Sequence, residues 1–205
     1  MRIGAPQAPP ILFVPPLFEE MNRTRALIAA AMRALAARGF GCWLADLPGT
    51  GESERDLREI GWDDWRHGVE KAARHARDAS GRPPLTAAIR GGALLDDAAE
   101  AAGMWRLSPA AGASLVRDME RSGLSGGAAW AGYDPSPDLI AALQVAEAAA
   151  AGKVRTVRLA ADPADADAKL DGPALWRRSE PGRSRELAEA IAEDIAGWAR
   201  ACGGC

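Results

Sequence analysis

Apolar residues along the chain alternate between short continuous runs and longer stretches with helical spacing. The short runs predict strands at residues 11–14, 41–47, 85–89 and 104–107, and a further strand is predicted at 154–160, where apolar residues alternate with Arg155 and Arg158. The longer stretches predict helices at residues 22–38, 62–76, 91–102 and 185–200. Because strands that alternate with helices of this length build a mainly parallel sheet covered on both faces, the pattern predicts a doubly wound α/β fold.

The stretch between residues 108 and 152 fits this alternation less well. It is rich in Gly and Ala, with a short predicted strand at 128–133 and a predicted helix at 137–151, and we interpret it as a small cap or insertion. A final strand is predicted at 173–177. The length of 205 residues is typical of one domain, so we predict a single domain over residues 1–205.

Composition and charge argue against several classes of function. The chain has 25 Lys and Arg against 28 Asp and Glu, a net charge of −3, which disfavours nucleic-acid binding through a basic face. The longest apolar run near its start, residues 9–16, contains four prolines and is far shorter than the ~20 residues of a membrane span. We therefore predict neither a membrane span nor a signal peptide. The three cysteines, at positions 42, 202 and 205, cannot form a disulfide framework and indicate a reducing, cytoplasmic location.

Two loops that follow predicted strands carry a resemblance to a known family. Residues 46–53, Asp-Leu-Pro-Gly-Thr-Gly-Glu-Ser, resemble the D-x-x-G-x-G-x-S loop after the fourth strand of α/β-hydrolases. Residues 16–25 contain P-x-x-E-E-M-N-x-x-R and, with Trp-Asp-Asp-Trp at 62–65, resemble one bacterial branch, the exosortase-A-system-associated hydrolases of the second type. The likeness covers the N-terminal half of the chain. It implies an α/β-hydrolase-like fold with a reduced cap, and a protein partner in the envelope polysaccharide and exosortase machinery.

In the fold that this resemblance implies, the nucleophile stands on a sharp turn, the elbow, between one strand, the elbow strand, and the following helix, usually within G-x-S-x-G. The matching turn after the strand at 85–89 reads Arg90-Gly91-Gly92, so Arg90 occupies the nucleophile position. A guanidinium is protonated at working pH and has no lone pair with which to attack a carbonyl. Ordinary ester hydrolysis is therefore not expected at this turn.

The other two positions of a catalytic triad are judged by residue type. Asp162, after the strand at 154–160, stands where the acid is expected. The base is missing, because the two histidines, His67 and His75, precede the elbow strand, whereas the catalytic histidine of this fold follows the last strand. Their separation of eight residues on one predicted helix suits a metal site poorly, and we predict no metal and no cofactor.

Arg90 and the free backbone N–H of Gly91 would form a cationic cup at a helix N-terminus. Such a cup would bind a small anionic or acyl ligand. Leu17 and Phe18, in the loop after the first predicted strand, are the apolar ligand-binding candidates beside it.

Carboxylates near this cup provide an alternative interpretation. Glu19, Glu20 or Asp162 would neutralise Arg90 within the protein and leave the site silent. Glu19 or Glu20 would otherwise act as a general base through water, since burial raises a carboxylate pKa toward neutrality. The simpler interpretation of this acidic pair is that it is favoured by the dipole of the next helix, which Asn22 caps.

Two hypotheses of function follow. In the first, the chain is a hydrolase-fold protein without catalytic activity that binds an anionic ligand or a protein partner at the strand ends. In the second, it is a non-standard hydrolase of an ester, thioester or other acyl substrate. There Arg90 and the Gly91 N–H stabilise an oxyanion, and Glu19 or Glu20 activates the attacking water. Ser108 would be an alternative nucleophile only beside a base, and no histidine is predicted near it.

Overall fold

The structure, a computed structural model, describes residues 1–51, 53–126, 129–150 and 152–202. Its strands are β1 (Arg2–Ile3), β2 (Pro10–Val14), β3 (Gly41–Leu44), β4 (Leu85–Ile89), β5 (Gly103–Leu107), β6 (Val154–Leu159) and β7 (Ala168–Leu170). Its helices are α1 (Glu19–Ala37), α2 (Trp62–Ser80), α3 (Gly112–Gly126), α4 (Pro137–Val145) and α5 (Arg185–Ala201). The strands form one seven-stranded sheet in the order β1-β3-β2-β4-β5-β6-β7, in which β1 pairs antiparallel with β3 and all other pairs are parallel.

Strand β2 shows how the sheet is covered on both faces. Ile11 and Phe13 belong to the apolar cluster that α1 and α5 complete, whereas Leu12 and Val14 belong to the cluster completed by α2, α3 and α4. All four side chains are at most 1% exposed, as a strand between two packed layers requires. The predicted doubly wound α/β fold is confirmed. Among the described helices, none combines the length and the apolar character needed to cross a membrane.

The first helix begins earlier than its apolar pattern predicts. α1 starts at Glu19 rather than at residue 22, because Phe18 before it has a left-handed backbone, with φ at 53°, and turns the chain into the helix there. Asn22 consequently lies within the helix, and its predicted role as N-cap is wrong. The strand predicted at 41–47 is also shorter, since β3 ends at Leu44.

The helix predicted at 91–102 is wrong. This segment instead forms two 3-10 turns, Arg90–Leu94 and Asp96–Ala98. Residues 91–96 are all buried, and Asp96 forms an ion pair with Arg106 of β5. The segment therefore lacks the solvent-facing side that an amphipathic surface helix needs. All of residues 90–102 are described, and among them no α-helix offers its N-terminus to the elbow.

The final strand predicted at 173–177 is also wrong. Leu175–Arg177 form a 3-10 turn, and the burial of Leu175 and Trp176 explains the apolar signal there. Within the described part of the chain, the last strand of the sheet is β7, which pairs with β6. It has three residues with an exposed Lys169 at its centre, too short and too polar to give a periodic signal.

The stretch between β5 and β6, interpreted above as a cap or insertion, contains α3, a 3-10 turn (Ala129–Gly132) and α4. The strand predicted at 128–133 is wrong over 129–132, and residue 128 lies outside the described residues. The helix predicted at 137–151 is confirmed only as far as Val145, while residue 151 is not described. The interpretation of this stretch as a cap on a single domain stays a prediction.

Candidate functional site

Arg90 stands on a strained turn at the carboxyl end of β4. Its backbone φ is 54°, in the left-handed region that non-glycine residues rarely adopt. Gly92 packs against the end of β2, where a Cβ would lie 2.3 Å from the Val14 carbonyl oxygen, so that only glycine fits. The shape of this turn therefore directs the side chain of residue 90 toward the ends of the strands. In this chain that side chain carries a guanidinium group.

The Arg90 guanidinium is neutralised by Glu20 of α1. Its Nε lies 3.2 and 3.3 Å from the two carboxylate oxygens, and its Nη2 lies 3.1 Å from Oε1. Nη1 donates to the carbonyl oxygen of Ser108 at 3.3 Å, and the group stacks 5.4 Å from the ring centroid of Trp176. The side chains of Arg90 and Glu20 are only 13% and 15% exposed. All three guanidinium nitrogens thus have protein partners.

The other predicted carboxylates have different partners. Oε1 of Glu19 lies 3.6 Å from Nε of Arg23 on the same helix. Asp162 accepts a hydrogen bond from Nη1 of Arg158 at 2.8 Å. Of the three carboxylates that the sequence offered, it is Glu20 that the structure brings to the elbow guanidinium.

Burial dominates the ionisation of Glu20. It raises the pKa of Glu20 above the ordinary value of 4.5, and the charge and hydrogen bonds of Arg90 lower it only in part. The negative charge of Asp118 on α3 adds a smaller upward shift of the same pKa. The carboxylate and the guanidinium are therefore held together in a poorly solvated place.

This raised pKa gives stability a pH dependence. Because the pKa of Glu20 is higher in the folded chain than its ordinary 4.5, its favourable contribution is complete below that value and is lost as pH rises through the folded pKa. We expect the unfolding free energy of wild type, relative to Glu20→Gln, to fall as pH rises above the ordinary pKa of 4.5. Urea denaturation of both proteins as a function of pH measures the difference. A difference that stays constant, or that grows in favour of wild type, would contradict this account of Glu20.

Apolar side chains occupy the space beside the elbow. A Cβ at Gly91 would lie 2.5 Å from Leu115 and 3.0 Å from Leu17, both of which are buried. Phe18 is buried by edge contacts with three aromatic rings, whose centroids lie 5.4 to 5.8 Å away: Trp65, Trp130 and Tyr133. Leu17 therefore does lie beside Gly91 at the elbow, but these contacts of Leu17, Phe18 and Gly91 are with other side chains of the protein.

Two features of this site are not predicted by the sequence, namely the backbone and burial of Ser108 and the position of Trp176. Ser108, directly after β5, is buried with a left-handed φ of 45°, and its hydroxyl has no hydrogen-bond partner among the described residues. Trp176, which covers Arg90, lies in the 3-10 turn where the sequence predicts a strand. Apolar periodicity carries no information about a positive φ, and it does not distinguish a buried turn from a buried strand.

The two histidines are not part of a metal-binding group of side chains among the described residues. His67 and His75 are both on α2, and the ring of His75 makes an edge contact with Trp43 at 5.1 Å. Within the described ranges, no group of three or more His, Cys, Asp or Glu side chains is arranged to hold a metal ion.

A separate cavity of about 350 Å³ joins the two loops that carry the family resemblance. Arg25 of α1 lines it on one side, and the loop after β3 lines the rest with Asp46, Leu47, Pro48, Ser53 and Arg55. The Ser53 hydroxyl accepts hydrogen bonds from the backbone N–H groups of Gly49, at 2.9 Å, and Arg55, at 3.2 Å. Ser53 therefore stabilises the turn of this loop.

Solved structures with the same arrangement of strands and helices identify the fold. The chain is 13% identical to alpha/beta hydrolase domain-containing protein 10 from mouse, with a TM-score of 0.65 and coverage of 98% of this chain and 93% of that one. It is 17% identical to Est1E from Butyrivibrio proteoclasticus, solved with bound ferulic acid, with a TM-score of 0.66 and coverage of 96% and 93%. The chain has an α/β-hydrolase fold.

A third similar structure is a monoacylglycerol lipase from Paleococcus ferrophilus, which is 14% identical, with a TM-score of 0.55 and coverage of 98% of both chains. No family model and no curated protein sequence matches the chain. At such low identities the likeness is one of fold, and function must be argued from the site itself.

Proposed function

We propose that this protein has no hydrolase activity and acts by binding a protein partner. The observation that carries the proposal is the ion pair between Arg90 and Glu20 at the elbow. A group that attacks or polarises a substrate needs a free face, whereas this guanidinium contacts a protein acceptor through each of its nitrogens. In this proposal the elbow ties β4, α1 and the end of β5 together.

The alternative is a non-standard hydrolase of an ester, thioester or other acyl substrate. In that scheme Arg90 and the Gly91 N–H stabilise the oxyanion while Glu20 activates water. The raised pKa of Glu20 favours it, because a base with a higher pKa accepts a proton more readily. The contacts of both Glu20 oxygens with Arg90, and the apolar packing beside Gly91, favour the non-catalytic function instead.

We further propose that the partner belongs to the exopolysaccharide and exosortase machinery of a bacterial cell, and that the protein is cytoplasmic. The support is the likeness of the two loop sequences. The ion pair adds a physical reason why these features occur together, since Glu20 belongs to the E-E-M-N motif and neutralises the arginine of the elbow. A small anionic ligand at Arg90 would have to displace Glu20 first.

Covalent labelling tests for a serine nucleophile anywhere in the chain. After treatment with a fluorophosphonate probe, we expect the intact mass of the protein to remain unchanged, because a serine without a base is not activated. A serine hydrolase labelled in parallel controls for the reagent. An adduct at Ser108, or at any other serine, would overturn the non-catalytic proposal.

A further inference from the structure

Unpaired arginines are concentrated in the segment from residue 177 to residue 185, which we call the arginine loop. It contains four arginines against the single carboxylate of Glu180, in a chain whose net charge is −3. The four side chains are exposed, and no ion pair links them to other described residues: Arg177, Arg178, Arg183 and Arg185. The rest of the chain is thus more acidic than the net charge suggests, and positive charge is concentrated in this loop.

The arginine loop folds back on itself beside the elbow. It follows Trp176, whose ring covers the Arg90 guanidinium. A Cβ at Gly182 would lie 2.8 Å from Leu175 and 3.5 Å from Cδ of Arg178, so Gly182 packs against the start of the loop and against a residue before it. This packing places the Arg178 side chain beside Gly182, the residue that precedes Arg183.

The loop also places the positive charge of Arg185 at the N-terminus of α5, where a positive charge is unfavourable. Arg185 is the first residue of α5, and Ser184 caps the helix by accepting a hydrogen bond from the Leu187 N–H. The N-terminus of a helix carries partial positive charge, so it favours Asp and Glu and disfavours Arg. The cationic residues therefore do not serve the stability of α5. Glu186 in the first turn of α5 supplies the carboxylate that the helix end favours, whereas the four guanidinium groups of the loop form no ion pair with described residues.

We propose that the arginine loop binds a carboxylate-rich segment of a protein partner. This inference rests on the proposed function and names the chemistry of the partner. Guanidinium groups bind carboxylates through paired hydrogen bonds, which suits a short acidic segment lying across the loop. A highly charged polymer or membrane surface would also meet the acidic remainder of the protein, which repels it.

Binding of fluorescein-labelled octaglutamate, followed by fluorescence anisotropy, tests the proposal. The loop variant is Arg178→Gln, Arg183→Gln and Arg185→Gln together, and it retains the Ser184 cap. The matched control is Arg33→Gln, Arg82→Gln and Arg200→Gln, which removes the same charge from exposed arginines that form no ion pair with described residues. We expect the loop variant to bind about tenfold more weakly than wild type. The control is expected to change by less than about twofold, and equal unfolding midpoints would verify that all three proteins are folded.

Two results would overturn the proposal. Equal losses in the loop variant and the control would show a general charge effect rather than a site. If binding to phosphatidylglycerol vesicles depended on the loop and were tighter than binding to octaglutamate, the partner would be a lipid surface rather than a protein. The titration is independent of activity, so a serine adduct would overturn the proposed function without changing this result. Conversely, if the protein gives no adduct and no turnover but also does not bind octaglutamate, only the proposal for the arginine loop is overturned.

Discussion

Arg106→Met is expected to lower the free energy of unfolding by about 3–5 kcal/mol, because it leaves Asp96 buried without its cation. The two side chains are 5% and 0% exposed, and they form paired hydrogen bonds of 2.8 Å each. Nη1 of Arg106 also donates to the carbonyl oxygen of Ala149 at 2.7 Å. The ion pair thereby fixes the 3-10 turns after the elbow to β5 and to the chain that follows α4.

Urea denaturation measures this loss of unfolding free energy. Two further variants serve as a control and as a test of its cause. Arg74→Met removes an exposed pair with Glu70 on α2, whose side chains are 56% and 41% exposed, and should cost at most about 0.5 kcal/mol. The double variant Arg106→Met with Asp96→Leu should recover much of the loss, because no buried charge remains without a partner. A loss in Arg106→Met no larger than that in Arg74→Met would contradict the assignment of Asp96 as a buried charge.

Arg90→Ala is expected to destabilise the protein by about 2 kcal/mol, less than the loss at Arg106, because the ion pair at the elbow is slightly more exposed. Glu20 would then be left in a poorly solvated place without its guanidinium, and the stacking on Trp176 would be lost. This loss is a consequence of structure and does not require a catalytic role for Arg90.

A double-mutant cycle isolates the contribution of the ion pair. Arg90→Met and Glu20→Gln should show a coupling energy of about 1–2 kcal/mol in urea denaturation. Glu19→Gln is the matched control, since Glu19 is the adjacent carboxylate and lies beside Arg23 instead. Coupling of Arg90 to Glu19 as strong as to Glu20 would show that the geometry of the elbow differs from the one described.

The sheet and its main helices could be predicted because both layers leave clear patterns. A strand such as β2 is apolar throughout, and α2 and α5 have one buried face and one polar face. The structure of the segment after Arg90 could not be predicted in this way, because residues 91–96 are buried and Asp96 is neutralised by Arg106 on another element, β5. A buried ion pair of this kind depends on tertiary packing, which local periodicity does not encode.

The position of the candidate site could be predicted from the sequence, but the partner that neutralises Arg90 could not be predicted. Counting along the α/β pattern placed Arg90 on the turn after the elbow strand. Glu19 and Glu20 are adjacent on α1 and differ only in direction, so the start of the helix decides which one reaches Arg90. That start depends on the left-handed backbone of Phe18, for which no residue preference gives a signal.

Turnover of a panel of acyl esters, thioesters and phosphoesters tests the central claim most directly, since it detects water activation as well as a serine nucleophile. Wild type, Arg90→Ala, Glu20→Gln and the control Glu19→Gln are compared at the same high enzyme concentration. We expect no turnover above buffer in any of them. Turnover by wild type and Glu19→Gln that disappears in both Arg90→Ala and Glu20→Gln would contradict it and would place catalysis at the elbow.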